Sequence, residues 1–176
     1  MILGLDPGEH CVVAATGGQV GVAKHGIRRQ PVYYIKTFEQ FCASRPSHPI
    51  CETLIVEGQD IRKARSGPGV RKQNILKLAM RAGIQTCRVW DMAYRPVVAQ
   101  LPVKVWKDLV CPGGALVPKE VFCNRIFMAL TDEEKRMVNA LGDKLYLDAL
   151  DSIGLSWAGH LVNIKPYLLG KKDGLI

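Results

Sequence analysis

The chain has 176 residues, about the length of one domain, and 48% of them are hydrophobic, so it can build a core and is too apolar to be disordered. Its 24 Lys and Arg residues against 16 Asp and Glu residues give a net charge of +8. This excess favours a polyanionic partner, with nucleic acid ahead of an anionic membrane surface. No apolar run approaches the roughly 18 residues that a membrane helix needs, and the opening residues do not form a signal peptide, so we expect no membrane partner.

The positive charge is concentrated in one stretch. Between residues 61 and 90 there is no Asp or Glu, and the basic residues are Arg62, Lys63, Arg65, Arg71, Lys72, Lys77, Arg81 and Arg88. A solvated helix face usually mixes both signs, so a run of one sign is better explained as a surface that contacts phosphates. We assign DNA contacts to the first five of these residues. A basic surface without a partner remains the alternative.

Six cysteines lie at positions 11, 42, 51, 87, 111 and 123. No two are spaced C-x-x-C, and no His lies at zinc-finger spacing from a Cys pair, which disfavours structural zinc. Several lie within apolar runs. We therefore expect buried free thiols in a reducing cytosol.

The first part of the chain is rich in strand signals. Strands are predicted over residues 2–5, 11–16, 19–23, 32–35 and 53–57. Asp6-Pro7-Gly8 is a turn that ends the first strand, and Gly17-Gly18 is predicted to join the second and third as a hairpin. Thr37 can cap a short helix over residues 38–43.

After residue 70 the apolar period changes from 2 to 3.6. The pattern predicts a helix from Val70 to Ala82 that Gly83 ends, and then a strand from Ile84 to Trp90. Further helices are predicted to begin near Pro118, at a Thr131 capping box, and at Asp143, the last running to about residue 163. The sequence thus predicts a mixed α/β sheet in a single domain over residues 1–176, with a flexible basic tail over residues 165–176.

Four carboxylates occupy positions that suggest chemistry. Asp6 ends the first strand, Glu57 ends the strand over residues 53–57, and Asp148 and Asp151 project from the same side of the last helix. Two acids on an otherwise apolar helix are costly unless a cation neutralises them. Divalent cations such as Mg²⁺ prefer oxygen ligands, and two such ions could support phosphodiester hydrolysis. Each acid alone could instead be a turn residue or a solvated side chain.

The segments that carry these acids resemble the RuvC-type Holliday-junction resolvases of the RNase H-like superfamily. They read ILGLDPG at residues 2–8, LIVE at 54–57 and DALDSIGL at 148–155, and the resemblance covers about residues 2–160. It implies an RNase H-like fold with a five-stranded mixed sheet flanked by helices, its first three strands antiparallel. It also implies a cytoplasmic, DNA-associated homodimer that places symmetric nicks in a four-way DNA junction. Asp6, Glu57, Asp148 and Asp151 would be its catalytic residues and would bind Mg²⁺ or Mn²⁺, two ions per site.

A second stretch matches the family more loosely. Residues 105–119 are similar to the family's V-K-x-x-V-x-G-x-G-x-A-x-K segment, with a spacing one residue longer, which makes Lys107 and Lys119 the lysines that contact DNA phosphates near the cut. Ordinary surface lysines are the alternative. The family often has a junction-wedging aromatic residue after the glutamate that Glu57 matches, whereas residues 58–61 here read GQDI.

Three other functions are compatible with parts of the sequence. A related RNase H-like nuclease that acts on other branched DNA or on hybrids would use the same acids. A non-catalytic DNA-binding protein would explain the charge, but clustered carboxylates repel phosphates unless a metal intervenes. A small actin-like ATPase shares the Asp6-x-Gly8 opening but needs a second Gly-rich phosphate loop, and Gly113-Gly114 follows Cys-Pro instead. If the protein is a homodimer, residues 70–82 are the predicted contact segment.

Overall fold

The computed structural model describes residues 1–44, 51–58 and 72–169. In chain order the strands are β1 (Ile2–Asp6), β2 (Val12–Thr16), β3 (Gly21–Val22), β4 (Arg28–Arg29), β5 (Val32–Thr37), β6 (Thr53–Gly58) and β7 (Val97–Pro102). The helices are α1 (Phe38–Ala43), α2 (Lys72–Met92), α3 (Val103–Val110), α4 (Lys119–Ala129), α5 (Asp132–Asn139) and α6 (Tyr146–Gly159).

Five of the strands form a mixed sheet in the order β5-β2-β1-β6-β7. β1 is antiparallel to β2, and β2 to β5, whereas β6 is parallel to both β1 and β7. Helices cover both faces of this sheet, so the predicted α/β class with a five-stranded mixed sheet is confirmed. The two-residue strands β3 and β4 pair with each other apart from it.

The sheet divides the core into two layers. Leu3, Leu5, Leu54 and Val56 point to the layer that contains α1 and the last turns of α2. The residues between them in sequence face the other layer, where α3, α4, α5 and α6 pack. Because side chains alternate along a strand, the next residue on this second face after Gly4 is Asp6, and after Ile55 it is Glu57. The alternation therefore places both acids on the α6 face.

Helix α6 lies directly against β1 because position 4 is glycine. A Cβ atom at Gly4 would collide with the carbonyl oxygen of Ser152 and lie 2.6 Å from the Ser156 nitrogen. The Ser152 hydroxyl donates to the Val12 carbonyl at 2.9 Å, which ties α6 to β2 as well. The helix starts later than predicted, since Asp143 begins a 3-10 turn over Asp143–Leu145 and its side chain does not cap the helix.

Two predicted helix starts are confirmed in detail. The Thr37 side chain accepts from the Gln40 amide, and the Gln40 side chain accepts from the Thr37 amide, forming a capping box at α1. Thr131 and Glu134 form the equivalent box at α5. The helix predicted after Pro118 is α4.

The predicted hairpin between residues 11–16 and 19–23 is wrong. β2 pairs instead with β5, in a register that matches Val12 with Thr37. The short strand β3 is exposed at both residues, so it has no apolar side chain to bury in the sheet, whereas β5 contributes Val32 and Ile35 to the core. The amide of Gly17 donates to the Pro31 carbonyl, which closes the larger excursion between β2 and β5.

The predicted strand over Ile84–Trp90 and the predicted helix end at Gly83 are also wrong, because α2 continues to Met92. The residues it buries in this part are Gln85, Val89, Met92 and Ala93, the last directly after the helix. Their spacing of four, three and one is that of one helix face, not of a strand. Gly83 lies on the opposite, exposed side, and its place inside the helix costs about 1 kcal/mol relative to Ala. The fifth strand of the sheet is β7.

Two further features concern the chain end and the cysteines. Within the stretch predicted as a tail, Leu168 forms a β-bridge with Ala99 and the Leu169 amide donates to the Val98 carbonyl at 3.0 Å; residues 170–176 lie outside the described part.

The cysteines are free, and four are buried, but Cys87 is exposed because it lies on the outer face of α2. Across the described ranges, no helix is long and apolar enough to cross a membrane.

Candidate active site

Asp6 and Glu57 end two neighbouring parallel strands at the same edge of the sheet. The register pairs Leu5 of β1 with Val56 of β6, so the two acids follow at equivalent positions. Both side chains are partly buried and face α6. Adjacent parallel strands whose last residues are carboxylates place two negative charges close together, and nothing in the strands themselves neutralises them.

The first turns of α6 bring Asp148 and Asp151 to this edge. Asp151 is 3% exposed, whereas Asp148, one turn earlier, lies nearer to solvent. Close packing of α6 on Gly4 fixes this arrangement, because it sets the height of the helix above the strand that ends in Asp6. The structure therefore brings together the four carboxylates that the sequence singled out.

Two of these acids, Asp6 and Glu57, have raised pKa values, first because they are buried and then because other carboxylates lie nearby. Burial, together with the charges of Glu57 and Asp151, raises the pKa of Asp6 to about 8. Burial and the charge of Asp151 likewise raise the pKa of Glu57 to about 7. Perturbed carboxyl groups that share one site are typical of functional centres.

Lys119, the first residue of α4, is the cation that contacts the cluster. Its Nζ lies 2.8 Å from Oδ2 of Asp151 and 3.4 Å from Oδ1 of Asp148. Burial alone would lower the pKa of Lys119, but Asp151, Asp6 and Asp148 together raise it above its ordinary value. Its side chain is still 41% exposed, so it stands between the carboxylates and solvent.

Lys107 of α3 supplies a second positive charge from within the protein. It is 8% exposed, and its Nζ lies 4.9 Å from the ring centroid of Phe122 and 5.3 Å from that of Trp106. The charge of Lys107 acts to lower the pKa of Glu57. Both lysines that the resemblance implied thus lie at the acidic cluster, although the matched segment is one residue longer than the family pattern.

Two site residues escaped the sequence analysis. The buried indole N–H of Trp106 makes no hydrogen bond within the described part of the chain, but it lies near enough to Glu57 to act to lower the pKa of that carboxyl group. The thiol of buried Cys123 donates to Oδ1 of Asp151 at 3.6 Å, and burial with the Asp151 charge raises the pKa of this cysteine, so it stays protonated. The signal was present in the sequence for Cys123, because it lies four residues after Lys119 on one helix and hence on the same face.

The donor set fits a hard divalent cation in its chemistry. Four carboxylates stand against two ammonium groups, and carboxylate oxygens are the ligands that Mg²⁺ and Mn²⁺ prefer. Within the described ranges, however, no three Asp, Glu, His or Cys side chains form a group that could hold an ion as they stand. Asp151 is instead held by Lys119 and Cys123. To hold an ion, the carboxylates would have to come closer together, and Lys119 would compete with the ion for Asp151 and Asp148.

Five further residues were predicted to bind DNA. Arg62, Lys63, Arg65 and Arg71 lie outside the described residues. Lys72 is the first residue of α2.

Solved structures with a similar fold come from RuvC. One is described as Thermus thermophilus RuvC in complex with Holliday junction substrate; it is 17% identical with a TM-score of 0.57, and the match covers 96% of this chain and 98% of that chain. Another, described as Thermus thermophilus RuvC, is 16% identical with a TM-score of 0.53 and coverages of 95% and 97%. No protein-family model matches the chain, and neither does any curated protein. The chain has the RuvC-type, RNase H-like fold that its sequence motifs implied.

Proposed function

We propose that this protein is a metal-dependent, structure-selective DNA endonuclease that resolves four-way (Holliday) junctions by paired, symmetric nicks. One observation carries the proposal: Asp6, Glu57, Asp148 and Asp151 converge at one edge of the sheet of a RuvC-type fold, with Lys107 and Lys119 beside them. A similar structure, RuvC from Thermus thermophilus, is in complex with Holliday junction substrate.

In this proposal the four carboxylates hold the divalent ions, two Mg²⁺ or Mn²⁺ per site. Such ions would activate a water molecule and stabilise the leaving oxygen of the phosphodiester. The protein side chains would supply the negative charge that binds the ions and would hold the ions in position. Asp6 and Glu57 must lose their protons for this role, and the pKa values of about 8 and about 7 mean that bound cations would drive that loss near neutral pH.

The two lysines would have different roles. Lys119 is exposed enough to leave Asp151 and contact a phosphate of the DNA, which exchanges one anionic partner for another. Lys107 is held among aromatic rings at 8% exposure, so it would reach a phosphate only at the floor of the site, and its charge would favour loss of the Glu57 proton. Both lysines would bind phosphates near the cut.

The basic stretch would supply most of the affinity for DNA. Arg62, Lys63, Arg65, Arg71 and Lys72 would contact phosphates of the junction arms without reading sequence. Replacing any one of these side chains by alanine should reduce the slope of log affinity against log salt by roughly 0.9 on duplex DNA.

A homodimer would place two identical cutting sites on symmetry-related strands. We propose that α2 forms the contact. Its outer face exposes Met80 (59%) and Ile84 (61%), which line a surface groove with Gly83, Cys87 and Arg88. Exposed apolar side chains one turn apart, next to a glycine that allows close approach, fit a second copy of the same helix. This face lies at and beyond the end of the predicted contact segment over residues 70–82.

The test uses a panel of labelled DNA substrates. A four-way junction, a fork, a linear duplex and an RNA–DNA hybrid are each incubated with the protein in Mg²⁺, Mn²⁺ or EDTA. We expect cutting of the junction alone or far ahead of the others, paired nicks that release two linear duplexes with ligatable ends, and no cutting in EDTA. Preferential cutting of the fork or the hybrid would instead favour a related RNase H-like nuclease. Tight, salt-sensitive binding without cutting in either metal would favour a non-catalytic DNA-binding protein.

A further inference from the structure

The turn that follows Asp6 is held by a side chain from the opposite face of the sheet. Gln85 lies on the buried side of α2 and is 9% exposed. Its Nε2 donates to the carbonyl oxygen of Gly8 at 2.9 Å, and its Oε1 accepts from the Gly8 amide at 3.1 Å. One side-chain amide thus satisfies both backbone groups of a residue 77 positions away in sequence.

The chemistry of this contact requires a glutamine. A primary amide presents a donor and an acceptor in one plane, and here these meet the carbonyl and the amide of the same residue, Gly8. Glutamate offers only acceptors when it is ionised and would face the Gly8 carbonyl with a negative charge, and leucine offers no polar atom. Removing the partner of a backbone group that is shielded from water leaves that group without a hydrogen bond, so both bonds hold the turn in place.

The contact lies two residues from Asp6. Pro7, which separates the acid from Gly8, is buried and has a fixed φ, so the connection between the clamped residue and the acid is short and stiff. Asp6 is the last residue of β1 and lies beside Glu57, Asp151 and Asp148, so the position of this strand end determines how the four carboxyl groups meet.

We propose that Gln85 is a positioning residue, which fixes the backbone of Gly8 through two hydrogen bonds and thereby holds Asp6 where it can bind a divalent cation together with Glu57 and Asp151. The inference rests on the proposed function, since it assigns Gln85 a role toward the same carboxylates. It also connects α2, the helix proposed for dimer contact, through two hydrogen bonds to the turn that follows Asp6.

The test compares Gln85→Leu and Gln85→Glu with two matched controls. Thr86→Ala removes a neighbouring hydrogen bond that stays within α2, from the Thr86 hydroxyl to the Ala82 carbonyl. Gly8→Ala keeps both backbone groups, and a Cβ there meets no atom within 4 Å. Mn²⁺ binding to each DNA-free protein is measured by calorimetry, and junction affinity is measured in EDTA. Thermal melting shows whether each variant folds. If Gln85→Leu does not fold, Gln85→Glu, which preserves the size of the side chain, provides the test.

We expect both Gln85 variants to bind Mn²⁺ about 10-fold more weakly, in the range found for residues that orient metal ligands, while junction affinity in EDTA and both controls stay at the wild-type level. In cutting assays the variants should need more Mn²⁺ for half-maximal rate and recover at high Mn²⁺. Wild-type Mn²⁺ affinity in a folded Gln85 variant would overturn the inference and leave the proposed function intact. A wild-type protein that binds Mn²⁺ but cuts no junction would overturn the proposed function, and calorimetry would still decide the role of Gln85.

Discussion

The ammonium group of Lys119 lies 2.8 Å from Oδ2 of Asp151, at the point where the proposed function requires a divalent cation to approach. The lysine therefore acts as a built-in counter-ion for the carboxylates. Because the Lys119 ammonium and a divalent cation at this carboxylate would repel each other, we expect binding of the ion to weaken the Lys119–Asp151 contact.

Replacing Lys119 should separate its two roles. In Lys119→Ala the carboxylates have no lysine counter-ion, so we expect tighter Mn²⁺ binding to the DNA-free protein, measured by calorimetry. The same variant cannot bind the phosphate near the cut, so junction nicking should slow by about 100-fold at saturating metal. Lys135→Ala is the control, because Lys135 pairs with Asp132 on α5. Unchanged Mn²⁺ affinity in Lys119→Ala would show that the lysine does not compete with the ion.

The stability of the metal-free protein should fall as pH rises through neutrality. The folded-state pKa of Asp6 is raised from 3.8 to about 8 and that of Glu57 from 4.5 to about 7, so the folded chain binds protons that the unfolded chain has released. Between roughly pH 4 and pH 8 the unfolded state therefore binds fewer protons, and each rise in pH favours it. These two groups therefore reduce the free energy of unfolding least below about pH 4 and most above about pH 8.

Asp6→Asn isolates this effect. We expect it to raise the melting temperature in EDTA at pH 8 by roughly 3–6 °C, equivalent to about 1–2 kcal/mol, and by less at pH 5.5. Added Mg²⁺ should stabilise the wild type more at pH 8 than at pH 6, because the ion binds the deprotonated carboxylates. Scanning calorimetry at the two pH values measures both. An equal gain at pH 5.5 and pH 8 would contradict the assigned repulsion.

The fold at the centre of the site depends on a missing side chain. Gly4→Ala should push α6 away from β1, since the new Cβ would collide with the Ser152 carbonyl, and we expect the free energy of unfolding to fall by about 1–3 kcal/mol. Asp151 moves with α6, so Mn²⁺ affinity should fall as well. Gly8→Ala has open space and should change neither quantity. Chemical denaturation with calorimetry tests the pair, and equal stability of the two variants would show that α6 does not rest on Gly4.

The outer face of α2 provides the test of assembly. Ile84→Glu places a charge on the exposed apolar face and leaves buried Gln85 and Val89 untouched. We expect the wild type to sediment at twice the monomer mass at micromolar concentration and Ile84→Glu to sediment as a folded monomer that makes unpaired nicks. Val97→Glu, a change at an exposed residue of β7, is the control. A wild type that sediments as a monomer would contradict the dimer.

The residue types at the site could be predicted because each is marked by its place in a local pattern. Asp6 and Glu57 end apolar strands, and Asp148 and Asp151 share one helix face, so the pattern predicted four acids that the structure brings to one edge of a five-stranded mixed sheet. The pairing partners of the strands and their register were harder to predict from the sequence. Whether residues 19–23 or β5 would pair with β2 depends on which segment can bury apolar side chains across the sheet, and local turn chemistry favoured the wrong one.

The error at α2 has a similar origin. Gly83 and the apolar residues after it look like a helix end followed by a strand, but tertiary packing of Val89 and Met92 on the sheet keeps the helix going. That error also concealed Gln85, whose role depends on the inward face of a helix. Trp106 was missed because its contact with Glu57 joins two elements that are distant in sequence.

Single-carboxylate variants test the central proposal most directly. Asp6→Asn, Glu57→Gln, Asp148→Asn and Asp151→Asn are assayed for nicking of a labelled four-way junction in Mg²⁺ and in Mn²⁺, and for junction binding in EDTA. We expect the nicking rate of each variant to fall roughly 10³-fold while its junction affinity stays at or above that of the wild type, because the acids hold metal and repel phosphate. Nicking at the wild-type rate by both Asp148→Asn and Asp151→Asn would contradict the assignment of these acids as metal ligands.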